Sequence, residues 1–179
     1  MGDLDHQQQA LLEKGIIDIQ GPVDDDTFNY VRECMLELAL KDNPPIHIII
    51  TSTGGKIGFG LCIHDMLRMY PGEIVGTVIG VAQSAAALIL QACDKRECSR
   101  NSSVLVHDVR HNQVTLRQMN DETRRKQITR VLQETQNQVY SILEERMNKP
   151  RQFIIDLCDE ERELFAQEAL ELGLIDEIV

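Results

Sequence analysis

The chain has no tryptophan, and its aromatic residues make up only 4% of 179 positions. Positive charge is also scarce. Lys plus Arg number 18 against 29 Asp plus Glu, a net charge of -11, so long-range attraction to nucleic acid or to an anionic membrane surface is not expected. No apolar run reaches membrane-spanning length, and the polar, acidic start Met1-Gly-Asp-Leu-Asp-His-Gln-Gln-Gln has no basic segment followed by an apolar one. The five cysteines (Cys34, Cys62, Cys93, Cys98, Cys158) are odd in number and scattered, with no close pair of the zinc-knuckle kind. Buried thiols in a reducing compartment, no metal site and a cytoplasmic location are the expectations.

What is present is an alternation. Gly15–Ile19, Ile46–Ile50, Ile74–Ile79 and Ser103–Val106 read as short, largely β-branched strands, with Glu97–Arg100 a weaker candidate for another. Between them lie stretches with helical spacing, such as Phe28, Val31, Met35 and Leu38 behind the capping aspartates 24 to 26, and Ile57, Leu61, His64 and Leu67. Strands alternating with helices predict an α/β fold. No repeat or linker interrupts the chain, so residues 1–179 read as one domain, with 1–14 a polar arm or frayed helix. Residues 116–148 hold no glycine or proline and are rich in Gln, Glu and Arg; they read as one long helix or two, of the kind that projects or meets a partner chain. Short helices near 151–157 and 165–172 and a last strand over 174–179 complete the pattern.

Ligand sites in α/β folds gather at strand ends, and three ends are chemically suggestive. Ser84 sits where the Gly76–Gln83 run gives way to the helix former Ala85-Ala-Ala-Leu-Ile-Leu. There it is an N-cap, as serines at helix starts usually are, or a nucleophile thrust out of a sharp turn. Gly54-Gly55 after the second buried strand is a tight turn or a bare backbone whose N–H groups approach a substrate; the Ala85 N–H would be a second donor. A phosphate loop would need a Gly-Lys-Ser/Thr ending, which is missing. His107 ends the Ser103–Val106 strand, as a satisfied strand-end histidine or as the base a serine needs, histidine titrating near ~6.5. His6, His47 and His64 fall in the arm, a strand and a helix; His111 is the rival.

These pieces carry a resemblance. Thr51-Ser-Thr-Gly-Gly55 with Gly60 and Ile63-His-Asp65, then Gly80-Val-Ala-Gln-Ser84, Asn101-Ser-Ser-Val-Leu-Val-His107 and Glu168-Ala-Leu-Glu-Leu-Gly-Leu-Ile-Asp176 stand in order. Together they resemble the proteolytic subunit family of Clp protease, ClpP, over residues 15 to 179. The resemblance implies the ClpP/crotonase-like fold, strand-strand-helix turns with a helical handle at 116–148. It implies a serine endopeptidase acting on unfolded polypeptides through an acyl-enzyme on Ser84, with His107 as base and then acid, and the Gly55 and Ala85 N–H groups as oxyanion hole. A homo-oligomer of two stacked rings, a tetradecamer in the family, would work with an AAA+ unfoldase; ATP would be spent by that partner, with no cofactor in this chain. The triad acid falls on Glu161, seven residues before Glu168-Ala169, with Asp159 as the alternative; a solvated acidic helix start is the other reading of Asp159-Glu-Glu161.

Departures from the family pattern accompany the matches. Ser52-Thr-Gly-Gly55 stands for Ser-Pro-Gly-Gly, Ala85 for methionine, and His107-Asp-Val109 for His-Gln-Pro; Arg110-His-Asn-Gln113 replaces a glycine-rich strand. Two rival readings share the architecture: a catalytically silent ring subunit, and a crotonase-like acyl-CoA enzyme that would use the glycine donors without needing Ser84 and His107 together.

Overall fold

The structure, a computed structural model, describes residues 4–110 and 114–179. In chain order the elements are α1 (His6–Leu12), β1 (Ile16–Val23), α2 (Asp25–Ala39), β2 (Ile46–Gly55), α3 (Ile57–Arg68), β3 (Ile74–Gln83), α4 (Ala85–Gln91), β4 (Lys95–Cys98) and β5 (Ser103–Leu105). They continue as α5 (Leu116–Asn120), α6 (Glu122–Met147), α7 (Arg151–Glu160), β6 (Leu164–Phe165), α8 (Ala166–Leu172) and β7 (Glu177–Ile178). The chain forms two compact units, Met1–Val106 with Arg162–Val179, and His107–Glu161.

The first unit is an α/β layer structure, the class read from the sequence. Its sheet runs β1-β2-β3-β4-β7 in parallel, and β5 joins β3 in parallel and β6 in antiparallel fashion. Each long strand breaks register midway, β1–β2 between Gln20 and Pro22 and β2–β3 between Ile50 and Ser52. In β3 the residues Val75–Val78 pair with β4, whereas Val81–Gln83 pair with β5. The strand-strand-helix turn of the ClpP fold is thus built from one bent strand and the helix after it. Gly80, at φ +81°, lies at the bend of β3, a backbone conformation that side chains other than glycine adopt at a cost.

Local chemistry accounts for most boundaries. The Asp24 carboxylate accepts from the N–H groups of Asp26 and Thr27 and starts α2. In the stretch expected to be an arm or frayed helix, α1 is closed by a reciprocal capping box between Asp5 and Gln8. In β2, Ile46, Ile48 and Ile50 are buried while His47 and Ile49 are half-exposed, so this strand is less fully covered than its apolar run predicts. Every residue of α4 is buried, which a helix apolar on all sides requires. Its small side chains let neighbours close in: a Cβ on Gly60 of α3 would lie 2.8 Å from the Ala85 Cβ.

Differences from the sequence expectation fall at the short strands. β4 covers 95–98 rather than 97–100, because Arg96 is drawn inward by Asp176, Gln91 and the Gly173 carbonyl. β6 has no signal of its own, and β7 shrinks to two residues. In the second unit, 116–148 divides into α5 and α6 at Asp121, whose side chain caps α6 through the Arg124 N–H. The buried residues of α6 are Val139, Tyr140, Leu143 and Met147, all near its C-terminal end. Among the described residues no helix is long and apolar enough to cross a membrane.

Candidate active site

Ser84 opens α4 at φ +55°, ψ -121°, left-handed territory that costs a non-glycine residue about 1–3 kcal/mol. Its side chain makes no capping hydrogen bond to the helix it begins. The N-cap reading of this serine therefore lacks the contact that defines it. The strained strand-to-helix turn is the geometry that exposes a hydroxyl at the top of a sheet. Three groups hold it. The Ser84 N–H donates to the Leu105 carbonyl at 2.8 Å, tying the turn to β5. The Gln83 amide donates to Glu163 at 2.9 Å. The Ser102 hydroxyl accepts from the Gly80 N–H at 2.7 Å at the foot of the turn.

Against this turn lies the end of β2. A Cβ on Gly54, itself at φ +84°, would come within 2.4 Å of the Gln83 carbonyl, 2.8 Å of the Ser84 Cβ and 3.0 Å of the Ala85 nitrogen. Only glycine fits there, so the Gly54-Gly55 backbone touches the turn rather than merely reversing the chain. Ser52, 2% exposed, fixes that approach by donating to the Gly21 carbonyl at 2.5 Å and accepting from the Gly54 N–H at 3.1 Å. Ala85 is the first residue of α4, where an N–H has no acceptor within the helix, and its side chain is fully buried. Ser52 and Ser102 were missed as positioning residues. For Ser52 a serine two places before a glycine turn was the available signal.

His107 belongs to the second unit, two residues beyond the end of β5. Its Nδ1 lies 2.6 Å from the Asp108 carbonyl oxygen. A carbonyl only accepts, so Nδ1 carries the proton and Nε2 is left as the acceptor, the tautomer a general base requires. Glu161 ends α7 in the left-handed conformation, and its carboxylate pairs with the Arg110 guanidinium. That hydrogen bond is the main cause holding its pKa below the usual value, against a smaller opposing effect of burial. Among the described residues Glu161 and His107 share no hydrogen bond, and Asp159 is exposed on the last turn of α7.

The competing histidines are occupied or elsewhere. His47 pairs with the Thr77 hydroxyl at 2.7 Å, and His64 with Asp65 at 3.1 Å. His6 is exposed on α1, and His111 lies outside the described residues. Among the described residues no group of His, Cys, Asp and Glu is arranged to hold a metal ion. None of the five cysteines forms a disulfide; burial pushes the thiols of Cys34 and Cys158 up to about 12 and that of Cys98 up to about 11, while Cys62 is exposed.

A parallel-dominated α/β sheet with a strained serine turn set against a glycine pair is consistent with the ClpP fold. The family model for Clp protease matches residues 3–179. An ATP-dependent Clp protease proteolytic subunit from Streptococcus sanguinis (strain SK36) is 30% identical over 172 residues, covering 94% of this chain and 86% of that protein. The chain belongs to the Clp protease family, and it is a protease of the Clp type. Neither the acyl-CoA enzyme nor the silent ring subunit is favoured by these matches.

Proposed function

We propose that the chain is a serine endopeptidase that hydrolyses unfolded polypeptides through an acyl-enzyme on Ser84. The observation that carries this reading is the Ser84 turn: a serine held at φ +55° without capping its helix, pressed against a glycine that admits no side chain. Strain of this kind persists only where surrounding structure over-determines it, and it clusters at active sites. His107 takes the Ser84 proton on Nε2 and returns it to the leaving amine, while its Nδ1–H keeps donating to the Asp108 carbonyl. The Gly55 and Ala85 N–H groups receive the oxyanion, a device in which one donor is typically worth ~3–4 kcal/mol in the transition state. Glu161 acts as the third member by charge, stabilising the imidazolium without a direct bond, and Asp159 is the alternative acid.

The same reading extends to assembly. The family match and the ATP-dependent relative support a homo-oligomer, two stacked rings of the tetradecamer type, fed by an AAA+ unfoldase that spends the ATP. The chain itself needs no cofactor, takes no nucleic acid or membrane as partner, and works in the cytoplasm.

Intact-mass detection of a fluorophosphonate adduct tests the chemistry. One adduct per chain, absent in Ser84→Ala and slowed in His107→Ala, is the expected result. No adduct on the wild type would sink the serine mechanism and leave a silent ring subunit.

A further inference from the structure

Three hydrogen bonds bracket His107 within the second unit, and only one of them touches its ring. The Asp108 main-chain carbonyl holds Nδ1 at 2.6 Å. The Asp108 side chain accepts from the Tyr140 hydroxyl at 2.6 Å, and the next N–H, that of Val109, donates to the Gln136 side-chain oxygen at 2.5 Å. Tyr140 and Gln136 are four residues apart on α6 and so share one face of it. A single rigid helix therefore grips the two residues after His107, one through its side chain and one through its backbone.

The grip is itself supported. Tyr140 is 8% exposed, and the Arg151 guanidinium lies 5.5 Å from the centre of its ring. Arg151 is anchored in turn by Glu144 at 2.6 Å and the Ser141 hydroxyl at 3.0 Å. Burial first, and then the Asp108 carboxylate, push the Tyr140 phenol above its ordinary range, so it stays protonated and keeps donating. A carbonyl fixed from both sides has one direction in which to point, and that direction selects the tautomer of His107.

We propose that Tyr140 and Gln136 are positioning residues for His107, which act by clamping the Asp108 carbonyl that keeps the proton on Nδ1. The proposal rests on the reading of His107 as base. It gives α6 a task beyond packing: orienting the imidazole by a main-chain oxygen, the job that a triad carboxylate performs when it bonds to Nδ1. It also accounts for Glu161 being spent on Arg110 while the imidazole remains oriented.

The test compares Tyr140→Phe, Gln136→Leu and the control Val139→Ala in the assembled protein. Val139 neighbours Tyr140 on α6 and is 3% exposed, so its truncation perturbs packing without touching the clamp. Two readouts are taken: steady-state cleavage of a fluorogenic peptide with fluorophosphonate labelling, and hydrogen exchange of the Val109 amide. Tyr140→Phe and Gln136→Leu are expected to lower kcat and the labelling rate by roughly tenfold or more, leaving KM within about twofold, because small misplacements of a catalytic group cost factors of this size. Both are expected to speed Val109 exchange by about tenfold, with Val139→Ala near wild type in each readout. A wild-type kcat in Tyr140→Phe, a loss confined to KM, or an equal loss in Val139→Ala would overturn the proposal. A wild type that does not label at all instead overturns the reading of Ser84 and the catalytic role of the clamp with it, and Val109 exchange then reports only whether the tether forms.

Discussion

The turn that carries Ser84 and the segment that carries His107 are held by opposite means. Ser84 is fixed by backbone: a strand-end N–H on the Leu105 carbonyl, a glycine too close for a side chain, and a helix buried along its whole length. His107 is fixed by side chains reaching from α6 to its neighbours Asp108 and Val109. Backbone-built geometry survives most substitutions but fails wholly when it fails, since it depends on steric room. Side-chain geometry degrades one hydrogen bond at a time, each contributing about 0.5–1.5 kcal/mol net. The nucleophile is the rigid half of the proposed pair, and the base is the adjustable half.

The hardest blow to the rigid half comes from behind it. Arg96, 5% exposed, is held by Asp176 at 2.5 and 2.9 Å, by Gln91 of α4 at 2.7 Å and by the Gly173 carbonyl at 2.9 Å. Arg96→Ala strands these acceptors and is expected to cost about 3–5 kcal/mol in urea unfolding. A cost under about 1 kcal/mol would mean that α4 does not depend on this network.

Gly54→Ala strikes the turn itself. A methyl group 2.4 Å from the Gln83 carbonyl, at φ +84°, must move the backbone, with an expected loss of about 2–3 kcal/mol and a labelling rate down roughly 100-fold. Retention of the wild-type rate would break the contrast between the two halves.

Ser84→Gly probes the strain directly and in the opposite sense. Glycine tolerates positive φ, so the variant is expected to be inert yet more stable by about 1 kcal/mol, even after glycine's greater unfolded-state freedom is counted. A less stable variant would show that the conformation carries no strain.

The smallest effect belongs to the exposed pair in the second unit. Arg110 keeps the Glu161 pKa low, so that contribution is present above the unfolded carboxylate value near ~4.3 and disappears as pH falls through the lower folded value. Arg110→Ala is expected to raise the Glu161 pKa while leaving unfolding at neutral pH nearly unchanged, because both partners are exposed. An unmoved titration curve would remove the ion pair from the account.

Much of the first unit was legible because its signals are local. Ile46–Ile50 is a strand by composition and Asp24 a cap by its place before a helical period, whereas Gly54 was marked only as a turn or a bare backbone. The short strand β6 was not legible and β7 was read too long, over 174–179, since two residues carry no period and pair only because Ser103–Leu105 and Lys95–Cys98 arrive beside them. In the second unit the boundary at Asp121 passed unread, although aspartate before a Glu-Thr-Arg run is a cap signal.

For the candidate site, the residue types and their order were in the chain: Ser84, His107, Gly55 and Ala85 stand at element ends that the hydrophobic pattern marks. Their conformations were not. That Ser84 sits at φ +55° and leaves its helix uncapped follows from Gly54 of β2 and from Leu105 and Ser102 on and just before β5 closing in on the turn. That Glu161 meets Arg110, and that Asp108 meets Tyr140 across 32 positions, depends on where α6 and α7 pack. Sequence alone determines local preference, because period, caps and turns act within a few residues. Tertiary structure decides which distant donor meets which acceptor, because that choice is made by packing a whole helix face rather than by any one residue on it.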